Sequence, residues 1–135
     1  MTDTEVHACP FCSPIEQQRI FTSNEYALAV WDGFPVAQGH ALIIPRRHLA
    51  SFFETSTQER QAILELLDMA KLEIERRHRP DAYNIGINDG PAAGQTVNHL
   101  HIHLIPRYPG DVPDPRGGVR WVIPDKADYW SQPDD

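Results

Sequence analysis

The sequence predicts an α+β domain in which an antiparallel sheet of about five strands packs against one main helix. The first observation behind this class is the order of the segments: three short strand-like stretches, one long helical stretch and two further strand-like stretches. The second is that the connections are short, and short connections join antiparallel rather than parallel strands. The chain has 135 residues, the length of one domain, so we expect residues 1–135 to form a single domain.

The first three strands are predicted from short apolar stretches bounded by polar or glycine-containing turns. Residues 19–22 and 26–32 are joined by the polar turn Ser-Asn-Glu, which predicts a hairpin. Residues 33–39 are predicted to form a loop, and residues 40–45 a third strand that is largely buried.

The main helix is predicted to run from residue 57 to about residue 78. Apolar residues recur at helical spacing along one stripe, as on a helix that packs on one side; they are Ile63, Leu67, Ala70 and Ile74. Ser56 followed by Glu59 three residues later predicts a capping box at the start. Pro80 closes the far end.

Two more strands are predicted after the helix. Apolar residues at 83, 85 and 87 alternate with polar or small ones, which predicts a strand with one polar face. A glycine-rich turn, residues 89–94, leads to a second strand, residues 96–105. Proline is frequent, 12 of 135 residues, with a cluster between residues 106 and 124. Residues 106–135 are therefore predicted to be a proline-rich loop and C-terminal tail without another helix.

The charge balance argues against two classes of partner. Twelve Lys and Arg residues stand against nineteen Asp and Glu residues, so the net charge is −7 with neutral histidines. A field of this sign repels polyanions, and we expect no nucleic-acid partner and no membrane partner. Screening limits the field to about 10 Å, so a local anion site is compatible with it. The polar N-terminal stretch and the short apolar runs predict a cytoplasmic protein.

Three histidines at alternating positions are the most informative feature. His99, His101 and His103 share one face of the predicted strand, because side chains in a strand alternate. Neighbouring rings lie ~6.6 Å apart along a strand, and two charged rings would repel by ~2.5 kcal/mol at an effective dielectric constant near 20. At least one ring is therefore neutral at pH 7, and a neutral imidazole is a nucleophile, a base or a metal ligand.

Three interpretations of the histidines stay open at this point. One is an exposed stripe without a role. A second is metal binding by one or two of the rings. Binding of a single ion by all three is excluded, because His99 and His103 are ~13 Å apart along the strand. The third is nucleophilic catalysis by the central His101, with its neighbours as helpers.

The only two cysteines, Cys9 and Cys12, are separated by two residues. This spacing is found in glutaredoxin-type redox motifs, which need a preceding strand and a following helix. Only eight residues precede Cys9, and a proline follows at position 14, so half of a zinc site fits better. Two further ligands would complete such a site. Two reduced surface thiols are the remaining alternative.

Residues 94–105, Gly-Gln-Thr-Val-Asn-His-Leu-His-Ile-His-Leu-Ile, resemble the signature of the histidine triad family. Residues 88–90, 30–32 and 39–45 also resemble that family, so the likeness extends over about residues 9–107. The resemblance implies a HIT-like fold, a homodimer whose sheets join across the interface, and nucleotidyl transfer to water.

The resemblance also implies roles for single residues. His101 would attack the α-phosphorus of a nucleotide and form a covalent nucleotidyl-histidine that water then cleaves. His103 would contact the phosphate and help the leaving group, with Gln95 and Thr96 completing the catalytic set by holding phosphate oxygens. The implied substrate-binding residues are Asp32 at the ribose, Phe11 near the base, Asn88, Gln95, Thr96 and His103. For Asp32, an alternative is a turn-initiating role before Gly33.

Several members of the family carry a zinc site, and the matching residues here are Cys9, Cys12, His48 and His99. Such a zinc would be structural and would pin the N-terminal arm to the sheet. His7 is a local competitor as a ligand. If His99 binds zinc, His101 remains the free nucleophile.

We therefore expect an enzyme that cleaves at the α-phosphate of a purine nucleotide substrate, either a dinucleoside polyphosphate or a nucleoside phosphoramidate. One alternative is a zinc-containing protein that binds or senses nucleotides without turnover. Another is a nucleotidyltransferase or phosphorylase whose acceptor is not water.

Overall fold

The computed structural model describes residues 9–12, 15 and 17–131. It contains one five-stranded antiparallel sheet with the strand order β1-β2-β3-β5-β4. The strands are β1 (Ile20–Ser23), β2 (Ala27–Trp31), β3 (Ala41–Pro45), β4 (Ala82–Gly86) and β5 (Ile102–Arg107). The predicted α+β class, with about five antiparallel strands, is confirmed.

One long helix, α1 (Thr57–His78), packs across this sheet. Its predicted start is confirmed, because the Ser56 side chain accepts from the Glu59 N–H while the Glu59 carboxylate accepts from the Ser56 N–H. These two bonds satisfy two backbone donors that a helix start would leave unpaired. Arg79 ends the helix in a left-handed conformation, with φ of 53°.

The sheet has two differently covered faces. The inner face packs against α1, and its buried residues include Ile43, Leu100 and Leu104. The outer face carries a smaller apolar cluster of Val30, Leu42 and Ile44, against which Phe11, Ile15, Ile20 and Leu28 pack. The N-terminal arm therefore covers part of the outer face, on the side of β2 and β3.

Two predictions about element boundaries are wrong. The last strand begins at Ile102 rather than at residue 96, because the Leu100 N–H donates to the Leu49 carbonyl and the Gln95 side chain donates to the Ala50 carbonyl, neither of which belongs to a strand. The tail is not purely extended: it contains a 3-10 helix, Gly118–Val122, and a short helix α2, Pro124–Ala127. Pro124 stands at the start of α2, where its missing N–H costs nothing.

His7, the competing ligand predicted from the sequence, lies outside the described residues. In the part of the chain that is described, no helix has the length and apolar character needed to cross a membrane.

Candidate active site

The three histidines stand at the start of β5 and just before it. Leu100, Ile102 and Leu104, which alternate with them, are buried in the core under α1. The imidazoles consequently lie on the outer face of the sheet, as the alternation predicted. There the Phe11 ring contacts both His99 and His101, with ring centroids 5.9 and 5.1 Å apart.

His99 points into a cluster with Cys9, Cys12 and His48. The ligand atoms of these four residues all lie within 4.8 Å of one another. The other nitrogen of His99, Nε2, lies 2.8 Å from the Pro45 carbonyl oxygen. Because a carbonyl only accepts, Nε2 carries the proton, and the electron pair of Nδ1 faces the two sulfurs and His48.

The distances in this cluster fit a tetrahedral ion. Bonds of 2.0–2.1 Å to nitrogen and 2.3 Å to sulfur place two nitrogens about 3.3 Å apart and a nitrogen and a sulfur about 3.5 Å apart. His99 Nδ1 lies 3.2 Å from His48 Nδ1, 3.5 Å from Cys9 Sγ and 3.4 Å from Cys12 Sγ. The Cys12–His48 pair, at 2.8 Å, is closer than such an ion requires. Two cysteines and two histidines form one of the usual ligand sets of structural zinc.

Burial keeps Cys12 and His99 of this cluster uncharged when no cation is bound. Burial, with the Cys9 thiol beside it, raises the pKa of Cys12 to about 11. Burial likewise lowers the pKa of His99, against the hydrogen bond to Pro45. Without a cation, therefore, Cys12 stays a thiol and His99 stays neutral. A metal ion binds the neutral imidazole directly and binds the sulfur only after the thiol has lost its proton.

His101 is buried, with 9% of its surface exposed. Its Nδ1 lies 2.8 Å from the His99 carbonyl oxygen, so Nδ1 carries the proton and donates to it. The electron pair of the ring is then left on Nε2. Phe11 on one side and His103 on the other, with ring centroids 5.1 and 5.2 Å away, hold the ring in place. The backbone thus holds a neutral His101 ring in one tautomer, with its electron pair on Nε2.

His103 receives its orientation from His40, a residue to which the sequence analysis gave no role. The Val36 N–H donates to His40 Nδ1 over 3.1 Å. The proton of His40 is therefore on Nε2, which lies 3.0 Å from His103 Nδ1 and 3.3 Å from Asp32 Oδ2. Since His103 Nδ1 accepts this bond, a neutral His103 carries its own proton on Nε2.

The ligand atoms of Asp32, His40 and His103 also lie within 4.8 Å of one another. A metal on His40 Nε2 would require the ring proton to move to Nδ1, where the Val36 N–H already donates. The backbone contact thus favours a hydrogen-bonded chain of side chains over a metal site.

Burial lowers the pKa of His40 despite the nearby Asp32 carboxylate. Burial also lowers the pKa of His103, and repulsion from His101 and His40 adds to the effect. The prediction that the three triad rings are not all charged near neutral pH agrees with these shifts.

The loop that precedes the histidines is held by two side chains. The Asp89 carboxylate accepts from the Ser51 hydroxyl and from the Phe52 N–H. Gln95 accepts from the Gly90 N–H through Oε1, and its amide nitrogen donates to two backbone carbonyls, at positions 50 and 97. Gly90 has φ of 96°, a backbone conformation that residues with a side chain rarely adopt.

These contacts change the interpretation of Gln95. Both hydrogens of its amide are used within the loop, so the side chain as folded has no donor left for a phosphate. Gln95 therefore shapes the loop, while Thr96 beside it is exposed. Asn88 is exposed as well and lines a cavity together with His103.

Asp32 and Phe11 have contacts that the sequence analysis did not fully predict. Asp32 Oδ1 accepts from the Phe34 N–H, which is the turn-initiating role, and Oδ2 faces His40. Phe11 packs on the rings of His99 and His101. The sequence signal for His40 was its position: a histidine that begins a strand of five buried residues, Ala41–Pro45, is itself buried and needs a partner.

Comparison with known proteins identifies the family. The model of the HIT domain matches residues 14–110, more than two-thirds of the chain. The chain belongs to the HIT family. The predicted family is confirmed, and the segment after residue 110 lies beyond the HIT match.

Relatives of this HIT chain include proteins of bacteria and yeast. An uncharacterized HIT-like protein of Mycoplasma genitalium is 37% identical over 113 residues, which cover 80% of this chain and 79% of that protein. Bis(5'-adenosyl)-triphosphatase of Saccharomyces cerevisiae is 34% identical over 114 residues, which cover 84% of this chain and 52% of the enzyme. The chain thus spans about half the length of the yeast enzyme.

Solved HIT structures share the fold. A HIT family member from Bacillus subtilis superimposes with a TM-score of 0.70 at 30% identity, covering 77% of this chain and 76% of that one. A zinc-bound histidine triad family protein from Mycobacterium smegmatis superimposes with a TM-score of 0.67 at 30% identity, covering 81% and 86%.

Proposed function

We propose that this protein is a nucleotide hydrolase that cleaves at the α-phosphate through a covalent nucleotidyl-histidine on His101. One observation carries the proposal: the His99 carbonyl oxygen, 2.8 Å from His101 Nδ1, leaves the electron pair of the buried ring on Nε2. Membership of the HIT family and the similarity to a yeast bis(5'-adenosyl)-triphosphatase support nucleotide hydrolysis.

The first half of the reaction forms one bond and breaks one. His101 Nε2 donates its electron pair to the α-phosphorus, and the bond from phosphorus to the leaving oxygen or nitrogen breaks with its electron pair. The His101 proton stays on Nδ1, where the His99 carbonyl stabilises the positive charge that develops on the ring. A departing nitrogen takes a proton from water, and an anionic polyphosphate needs none.

The second half reverses these changes on His101. Water attacks the phosphorus, the bond to Nε2 breaks, and the electron pair returns to the ring. The products are a nucleoside monophosphate and one proton, which balances the proton taken up by a departing amine. His103 assists both halves by donating its Nε2–H to a phosphate oxygen, since His40 occupies its other nitrogen.

The remaining site residues are proposed from the family resemblance and from their positions. Asn88 lines the cavity beside His103 and would bind phosphate oxygens with the exposed Thr96. Asp32 would bind the ribose hydroxyls through the electron pairs that Phe34 and His40 leave unused. Phe11 would contact a purine base on the side of its ring that does not face His101.

The decisive test is His101→Ala. We expect the variant to hydrolyse neither diadenosine triphosphate nor an adenosine phosphoramidate while it keeps the circular dichroism spectrum of the wild type. Mass spectrometry of a rapidly quenched wild-type reaction should find one adenylyl group on His101. Full turnover by the variant would refute the mechanism. Binding without turnover by the wild type would instead favour the nucleotide-binding alternative, and product formation only with an added acceptor would favour a transferase.

We also propose that Cys9, Cys12, His48 and His99 bind a structural zinc ion. The donor set and its spacing support this, and a zinc-bound histidine triad protein is among the similar structures. A bound zinc would join the N-terminal arm to the sheet. Elemental analysis should find about one zinc per chain, lost in Cys9→Ser but kept in a serine variant of an exposed site such as Thr57→Ser. A wild type that contains no zinc and has the same thermal stability with and without added zinc would refute the assignment.

A homodimer that joins two sheets through β4 is the third part of the proposal. β4 is one of the two edge strands of the sheet; Ile85 within it and Ile87 just after it are 51% and 36% exposed. Exposed apolar residues along an edge strand favour strand pairing with a second copy. Light scattering should give the mass of a dimer for the wild type and for Leu72→Glu, a change at an exposed helix position, but of a monomer for Ile85→Glu. A monomeric wild type would refute the dimer.

A further inference from the structure

Residues 9–12, which we call the cysteine turn, hold two sulfurs side by side. The Cys12 N–H donates to the Cys9 carbonyl over 3.2 Å, and a four-residue turn of this kind keeps its first and last Cα atoms within about 7 Å of each other. The two sulfurs lie within 4.8 Å of each other. Because a disulfide bond joins Cα atoms that are about 4.4–6.8 Å apart, a small movement of the cysteine turn would join these sulfurs.

The cysteine turn also carries Phe11, whose ring contacts the proposed nucleophile. Phe11 stands between the two cysteines in the chain and is half-buried. Its ring centroid lies 5.1 Å from that of His101, with an angle of 61° between the ring planes. His101 also contacts His103, which belongs to the sheet. Phe11 is thus the contact of His101 that comes from the N-terminal arm, and its position depends on the shape of the cysteine turn.

The two sulfurs tie the cysteine turn to the rest of the fold. Cys9 Sγ lies 3.5 Å from His99 Nδ1, and Cys12 Sγ lies 3.4 Å from the same nitrogen. Cys12 Sγ also lies 2.8 Å from His48 Nδ1. These contacts require reduced sulfur, because a thiol donates to a ring nitrogen and a thiolate binds a metal ion beside it. A disulfide sulfur does neither. Among the described contacts between the arm and the sheet, the packing of its rings and apolar side chains on the outer face would remain.

We propose that Cys9 and Cys12 form a redox switch that a peroxide operates. Oxidation to a disulfide detaches the cysteine turn from the two histidines, moves Phe11 away from His101 and lowers turnover. Phe11 is then a positioning residue, which acts on the reaction through the ring of His101. The inference rests on the proposed function, because it takes His101 as the nucleophile.

The oxidation takes place in two steps. The Cys12 sulfur, which is partly exposed, attacks one oxygen of hydrogen peroxide, the O–O bond breaks, and a sulfenic acid and one water form. The buried Cys9 sulfur then attacks the Cys12 sulfur, the S–O bond breaks, and a second water leaves. The two sulfurs lose two electrons, the peroxide gains them, and the two thiol protons end in water. Where the sulfurs hold zinc as thiolates, the two protons come from solvent and the ion is released.

The experiment oxidises the purified wild type with hydrogen peroxide and then reduces it with dithiothreitol in the presence of Zn²⁺. Mass spectrometry should show that the peptide with both cysteines has lost two hydrogen atoms, and a zinc-binding dye should detect the released ion. For an adenosine phosphoramidate, kcat should fall by about 10- to 100-fold, because a displaced nucleophile no longer meets the phosphorus in line. Reduction should restore kcat, whereas damage through methionine sulfoxide would persist, since its repair needs a dedicated reductase.

Proton NMR follows the position of Phe11 without any turnover. In the reduced protein, the ring current of Phe11 should shift the ring protons of His101, since the two rings meet edge to face. We expect this shift to disappear on oxidation and in Phe11→Ala, and to return on reduction.

Two variants test the route from the sulfurs to the nucleophile. Phe11→Ala should lower kcat of the reduced protein by a factor similar to that of oxidation, and peroxide should then change its kcat by less than about twofold, because both changes remove one contact. Cys12→Ser, whatever its starting rate, should keep that rate in peroxide. The matched control is Phe53→Ala, at a phenylalanine that is 76% exposed, which should respond to peroxide as the wild type does.

The switch and the proposed function fail in different ways. If the reduced wild type has no turnover, or if His101→Ala has full turnover, the hydrolase mechanism is wrong, and the NMR shift still decides whether the cysteines position Phe11. If the wild type is active through His101 and keeps its kcat after the disulfide has formed, or changes only in KM, the switch alone is wrong. Absence of the disulfide after peroxide treatment, or an equal loss of kcat in Phe11→Ala and the wild type, also overturns it.

Discussion

Replacing His40 by phenylalanine removes both ring nitrogens and keeps a flat ring of similar size. In the wild type, His40 Nε2 donates to His103 Nδ1 over 3.0 Å. In the variant, His103 Nδ1 loses this donor, and the proton of His103 is free to move to Nδ1. An electron pair on His103 Nε2 would then face the anionic phosphate and repel it.

The lost hydrogen bond should affect both the stability of the fold and kcat/KM. Leaving one buried acceptor unpaired costs about 1–3 kcal/mol of the free energy of unfolding, which lowers Tm by roughly 3–10 °C for a domain of this size. A hydrogen bond to a charged group contributes about 1.5–3 kcal/mol. Its loss at the phosphate should lower kcat/KM by about 10- to 150-fold.

The assay combines kinetics with nitrogen-15 NMR of the imidazoles. In the wild type we expect the proton of His103 on Nε2 and that of His101 on Nδ1. His40→Gln, whose amide N–H can again donate to His103, should recover part of the lost kcat/KM. A folded His40→Phe variant with the kcat/KM of the wild type would refute the reasoning. So would a glutamine variant that is no better than the phenylalanine variant.

Three further predictions concern stability. Gly39→Ala should lower the free energy of unfolding by about 1–3 kcal/mol, because φ is 83° and a Cβ atom would lie 2.9 Å from a helix side chain. The control is Gly86→Ala, where a Cβ atom meets open space. Equal melting temperatures of the two variants would contradict the argument. Gln95→Glu should lower the free energy of unfolding by about 1–3 kcal/mol, because its two donated hydrogen bonds are lost. A variant with an unchanged denaturation midpoint but no activity would instead indicate that Gln95 contacts the phosphate directly. The lowered pKa values of His40 and His103 mean that the folded state binds fewer protons than the unfolded state below about pH 6.5. The free energy of unfolding should therefore fall as the pH drops below that value, and it should fall less steeply in His40→Phe. Equal stability of the wild type at pH 7.5 and 5.5 would exclude the lowered pKa values.

Local patterns predicted the elements that depend on neighbours in the chain. The helix α1 was predictable because its apolar stripe and the Ser56–Glu59 cap are both local. The alternation at residues 99–104 correctly predicted which side chains enter the core. The start of β5 was not predictable, because the Leu100 N–H donates to the Leu49 carbonyl and the Gln95 side chain to the Ala50 carbonyl, and alternation alone does not show which partner a polar group has.

The candidate site likewise contains features that the sequence predicted and features that it did not. The resemblance to a family predicted that Cys9, Cys12, His48 and His99 belong together, and the structure brings their ligand atoms within 4.8 Å. It did not predict that the Gln95 amide nitrogen donates both of its hydrogens to backbone carbonyls and so has none left for a ligand. Nor did the prolines of the tail reveal that the tail would line a cavity beside His103.

The sequence by itself determined the class of fold, the family and the residue types that can do the chemistry. Periodicity, capping and a spaced histidine motif are properties of a few consecutive residues, and these are readable without coordinates. Only the tertiary structure decided which nitrogen of His101 and His103 carries the proton. That choice is made by the His99 carbonyl and, through His40, by the Val36 N–H, 67 residues before His103 in the chain. The physical reason is that a tautomer depends on the partner that each ring nitrogen meets, and the fold alone supplies that partner.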